Sequence, residues 1–95
     1  MENFFASNVK FLRLENKDSQ EQLANKMNKM AETMNGKKEN FHHSTIGRWE
    51  NGKRDPSVGN VLILAEVYNI PINKLIGKDL KLECNISDEK NNFFL

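Results

Sequence analysis

The chain has a single cysteine, Cys84, among 95 residues, so no internal disulfide is available to hold it together. Cys84 with His42 and His43 lacks the paired spacing of zinc ligands, and neither a metal nor a cofactor is expected. Long apolar runs are missing as well: none approaches the roughly 18 residues of a membrane span. An acid, Glu2, stands where a signal peptide would carry basic charge, which points to a soluble, cytoplasmic protein with no membrane partner. There is no glycine-rich phosphate loop, and the two histidines have no carboxylate or cysteine placed near them in sequence to build a catalytic set, so an enzyme is not expected. Excess charge of one sign is absent too, the formal net charge being +1.

What is present is enough apolar content, 38% of the residues, for one small core. Helical patterning dominates. In "NVKFLRLE", Val9, Leu12 and Arg13 stand at i, i+3 and i+4, which predicts a first helix ending near Asn16 or Lys17. Ser19, three residues ahead of Gln22, is a capping box, so a second helix starts at Gln20. Its stripe Leu23, Met27, Met30 and Met34 predicts a core face reaching Met34, before "NGKKEN" supplies loop chemistry. A third helix spans roughly His43 to Glu50 and stops at Asn51-Gly52, where glycine accommodates a left-handed C-terminal residue. Ser57 caps a fourth helix with Val58, Val61, Leu62, Ala65 and Tyr68 as its expected core face. A short fifth helix follows Pro71, with Ile72, Leu75 and Ile76 inward and Gly77 as its stop.

From Leu80 to Ile86 the period changes to two, Leu80, Leu82, Cys84 and Ile86 alternating with Lys81, Glu83 and Asn85. That predicts a strand, which either pairs with its copy in a second subunit or lies along the helices as a tail. The expected layout is thus an all-α domain over residues 4–77 and a short C-terminal tail, 78–95, able to serve as a dimerisation strand.

Charge gathers around the third helix. Between Gly36 and Arg54, five basic residues (Lys37, Lys38, Arg48, Lys53, Arg54) face two acids, whereas Asp79 to Leu95 is acidic. On the third helix, Ile46 and Trp49 fall on the core side together with Phe41 just before it. Ser44, Gly47, Arg48 and Asn51 follow i, i+3, i+4 and i+7 on another face. That face is small, polar and cationic, and it suits a helix lying in a DNA major groove, where arginine bonds guanine O6 and N7 in bidentate fashion. Gly47 costs the helix about 1 kcal/mol against alanine. Its place on the polar face predicts that the absent side chain leaves room for close approach of DNA.

Four segments in order, "VKFLRLENK", "SQEQLANKM", "STIGRWENGKRDPS" and "VLILAEVYNIPINKLIG", resemble the lambda-repressor-like helix-turn-helix family of Xre and Cro type. The resemblance covers about residues 5–77 and implies a five-helix domain that binds operator DNA, usually as a dimer. It implies further that His43, Ser44 and Arg48 meet base edges with Gly47 between them. Gln20, Asn51 and Lys53 would meet phosphates, with His42 and Arg54 as additions. Arg13 and Glu50 match positions that pair as buried ions in relatives, which makes Arg13 structural and not a DNA contact.

The chain departs from that pattern in three places. Ala24 and Ile46 are 22 positions apart, about twelve more than the family's usual motif. The insertion, about 28–40, is expected to lengthen the second helix and its loop and to bring Lys37 and Lys38 toward phosphates beside the groove. Histidine at 42 is a poor helix cap, so Asn40 is expected to start the third helix earlier. The eighteen residues after Gly77 are too few for the second domain that larger repressors carry, which leaves the tail, or Ile63 and Val67, as dimer contacts. The function expected is a sequence-specific transcriptional regulator, a phage or bacterial repressor binding a palindromic operator on double-stranded DNA as a homodimer. The alternative is a protein-interaction module, such as an antitoxin or antirepressor, acting through "LKLECNI" and the apolar tail.

Overall fold

The computed structural model describes residues 4–82, and among them lie five bounded helices, α1 (Phe5–Glu15), α2 (Gln20–Asn35), α3 (His43–Glu50), α4 (Val58–Val67) and α5 (Ile72–Gly77), followed by a further helical segment at residues 80–82. α2 packs on α3 and α4, and α1 on α3 and α5, so α3 is held between two helices. No described helix is long and apolar enough to cross a membrane.

Several helix ends are set by local chemistry. At the start of α2, Ser19 Oγ accepts the Gln22 N–H (3.0 Å) while the Ser19 N–H donates to Gln22 Oε1 (2.7 Å). Ser57 Oγ accepts the Asn60 N–H at 3.1 Å and opens α4. α3 ends where Gly52 turns left-handed (φ 69°) and the Lys53 N–H reaches back to the Arg48 carbonyl at 2.9 Å. α1 and α4 close with the same reach-back bond, from Asp18 to Arg13 and from Ile70 to Ala65, around Lys17 (φ 58°) and Asn69 (φ 51°).

Trp49 sits at the centre, only 2% exposed, with Phe5 and Phe41 edge-on to its ring at 6.0 and 6.1 Å between centroids. Val9, Leu23, Met27, Ile46, Leu64 and Leu75 are fully enclosed around it. A polar network runs beside this core. Asp18, buried, accepts from Lys26 Nζ (2.7 Å) and from the Tyr68 hydroxyl (3.0 Å), and its carbonyl accepts from Arg13 Nη1 (3.0 Å). Burial, reinforced by the Asp18 hydrogen bond, raises the Tyr68 phenol well above its usual range.

The packing corrects four expectations. Met34 is 41% exposed, because α2 outruns the elements it packs on. Val58 and Leu62 are exposed as well, and Ile63 and Leu64 are buried in their stead. α4 reads "VGNVLILAEV", apolar on nearly every side, so its period could not orient it; contact with both α2 and α5 does. Burial of Ile63 also removes it as a dimer contact. Residues 80–82 are helical, not extended. Asp79 Oδ1 accepts the Leu82 N–H at 3.3 Å as a cap, and Leu80 is buried with its N–H donating to Asn8 Oδ1 at 3.1 Å. The rest of the expected strand, and the tail beyond it, lie outside the described residues.

Candidate nucleic-acid interface

α3 is short, and its two sides are sharply different. Ile46 and Trp49 are buried, and the Glu50 side chain is 4% exposed. His43, Ser44, Arg48 and Asn51 are all exposed. At 100° per residue they share one arc, with Gly47 inside it. Lys53 and Arg54 are exposed just past the helix, and His42 just before it. Arg54 lines a shallow depression with Thr45, Asp55 and Asn60, on the flank between α3 and the start of α4.

Glu50 ties α3 to α1 and to the start of α2. Arg13 donates to it in bidentate fashion, Nε to Oε2 at 2.7 Å and Nη2 to Oε1 at 3.0 Å. The hydrogen bond to Glu50 raises the Arg13 pKa above its ordinary value, outweighing the opposite effect of burial, so the guanidinium stays charged. Gln20 Nε2 adds a third bond, to Glu50 Oε1 at 3.3 Å. Because Glu50 is matched by Arg13 from another helix, its charge does not subtract from the basic face. Lys37, Lys38, Arg48, Lys53 and Arg54 therefore stand against Glu39 alone in that stretch.

Gln20 in turn lies over Gly47. A Cβ built at Gly47 would stand 3.5 Å from both amide atoms of Gln20, an ordinary contact distance. The open side of the glycine thus faces the first residue of α2 and is covered by it, whereas the sequence suggested bare access from solvent. His43, Ser19, Gln20, Glu21 and Arg13 line one open depression, where the N-terminal end of α2 meets the first residue of α3. A helix N-terminus favours anions, so the end of α2 and the cationic arc of α3 present complementary surface to one polyanion.

The start of α3 differs from expectation. His42, not Asn40, is the N-cap residue, and it makes no side-chain cap hydrogen bond. Sequence reasoning missed the residue that organises this point, Asn28, which bonds the backbone of Phe41 in both directions. It also missed Asn8, fully buried, whose Nδ2 donates to the Leu75 and Lys78 carbonyls at 2.7 Å each. The signal for Asn8 was available: Phe5, Asn8, Val9 and Leu12 share one helical face, and a polar residue there requires partners. Lys37 and Lys38 are exposed, on the loop after α2. Among the described residues no cluster of His, Cys, Asp and Glu is arranged to hold a metal ion.

Residues 40–75 match the model of the family described as Helix-turn-helix. The matched segment takes in α3, α4 and most of α5, and leaves out α1 and α2. No curated protein and no solved structure matches the chain.

Proposed function

The chain belongs, through residues 40–75, to the lambda-repressor-like helix-turn-helix family of DNA-binding regulators, and from that premise we propose that it is a transcriptional repressor. It binds a palindromic operator as a homodimer, with half-sites about one helical turn, or ~34 Å, apart. α3 lies in the major groove. Arg48, Ser44 and His43 read base edges, Arg48 by a bidentate pair with a guanine. Gln20, at the capped start of α2, and Asn51, Lys53, His42 and Arg54 hold phosphates on either side and fix register without reading sequence. Gly47 lies inside the same arc, with the Gln20 side chain over it. Lys37 and Lys38 extend the phosphate contacts beside the groove. Such a protein works on cytoplasmic DNA of a bacterium or phage.

The observation that carries this reading is the exposed face of α3 with Arg48 set beside the capped start of α2, with Glu50, the one acid of α3, taken up by Arg13. Selection of bound fragments from a random DNA pool, followed by footprinting, tests it. The expected outcome is one enriched sequence with inverted half-sites, protected on one face of the duplex. A pool with no enriched sequence at moderate salt would overturn it.

A further inference from the structure

The excursion between α2 and α3 is closed at its base. The Phe41 N–H donates to Asn28 Oδ1 at 2.7 Å, and Asn28 Nδ2 donates back to the Phe41 carbonyl at 3.2 Å. The clasp joins residues 13 positions apart and falls immediately before the N-cap of α3. α3 has no side-chain cap of its own and no acid in its first turn. Beyond the clasp, every residue from Glu32 to Asn40 is exposed.

We propose that Asn28 is the positioning residue of the DNA-reading helix. In this chain its amide does what a short turn does in a compact helix-turn-helix. A single hydrogen bond leaves a peptide free to swing about it. Two bonds, to the N–H and the carbonyl of one residue, fix both its place and its direction. The Phe41 ring meanwhile packs edge-on to Trp49, 63° between planes, so residue 41 is tied to α2 through its backbone and to α3 through its side chain. The start of α3, and with it His43 and Ser44, is then set by the packed part of α2, and movement of the exposed residues 32–40 does not reach it. Residues 32–40 become an appendage on an otherwise ordinary α2–α3 pair. Base-edge hydrogen bonds weaken steeply with misalignment, whereas phosphate contacts through long side chains tolerate it. Loss of the clasp therefore acts on discrimination more than on attraction.

This inference rests on the DNA reading proposed above, and its test separates the two. The 95-residue chain and its Asn28→Ala variant are each titrated with the selected site and with a scrambled duplex of equal length, at one salt concentration and well below the melting temperature. The ratio of the two affinities is expected to fall about tenfold in the variant, on the scale of two lost hydrogen bonds, while scrambled-duplex affinity changes less than about twofold. A merely structural role lowers the melting temperature and leaves the ratio of the folded protein unchanged, and that result overturns the proposal. Asn28→Asp keeps the acceptor of the 2.7 Å bond and serves if the alanine variant does not fold. Its ratio is expected to fall about threefold, and a ratio equal to wild type is equally fatal. A wild-type chain that prefers no sequence at all refutes the DNA reading, and this inference with it, before any variant is measured.

Discussion

Replacing Glu50 by alanine strands a charge in the interior. The Arg13 side chain is 11% exposed and spends its Nε and Nη2 on Glu50, so without that carboxylate only the bond from Nη1 to the Asp18 carbonyl remains. Removing one member of a buried ion pair costs about 3–5 kcal/mol. The residual exposure of the guanidinium lets water reach it and argues for the lower figure, about 3 kcal/mol, still a large part of the roughly 5–15 kcal/mol that holds a small domain. Urea unfolding followed by fluorescence of the one tryptophan, Trp49, reads this directly. With m near 1–2 kcal/mol/M for a domain of this size, the midpoint should drop by roughly 1.5–3 M at unchanged m. The double replacement Arg13→Met with Glu50→Leu removes both desolvation costs and should recover most of the loss. A single variant that loses under about 1 kcal/mol, or a double variant no better than the single, would refute the claim that this pair is buried and mutually dependent.

Three further predictions address other parts of the structure. Gly47→Ala should raise stability by up to about 1 kcal/mol, since a methyl group there meets Gln20 at ordinary contact distance; a lower melting temperature would show that α2 cannot accept it. Tyr68 is the only tyrosine, so its tyrosinate absorbance reports its ionisation alone. Its phenol titrates higher in the folded chain than in the unfolded one, so its contribution is intact below about pH 10 and is lost as pH rises toward the folded value. Tyr68→Phe should flatten the alkaline fall in stability, and an ordinary tyrosine titration in the folded chain would contradict the packing described. Replacing Lys37 and Lys38 together should weaken binding to all DNA sequences alike and make the salt slope shallower by up to about 1.8; an unchanged slope would mean that neither reaches a phosphate.

The parts of the fold legible in the sequence are those decided within a few residues. The Ser19 and Gln22 box, the Ser57 cap and the left-handed Gly52 each follow from local hydrogen-bond chemistry, and the helix ends fall where that chemistry puts them. Trp49 and Ile46 on one side of α3, with Arg48 and Ser44 on the other, follow from period alone. What period could not supply was the partner of each face. α4 is apolar nearly all round and took its orientation from two neighbours at once, and the methionine stripe of α2 continues past the point where anything covers it. Asn8 and Asn28 act across 67 and 13 positions, and single polar residues in a helix carry no mark of such distant bonds beyond their place on a buried face. The alternation after Asp79 was overridden locally, by the carboxylate that caps residues 80–82 and by the anchoring of Leu80 on Asn8. The exposed polar face of α3 with Arg48 was legible from period, but the covering of Gly47 by Gln20 was not, because the insertion hides which residues of α2 and α3 meet.

The measurement that bears most directly on the account is the base preference of an Arg48→Ala chain, obtained by the same random-pool selection as for the wild type. If α3 reads the major groove, the variant loses preference at one base pair in each half-site, worth about 1–3 kcal/mol, while the flanking preferences and the salt slope stay as they were. A preference profile identical to wild type, or a uniform loss across all positions, would mean that the exposed face of α3 does not read sequence.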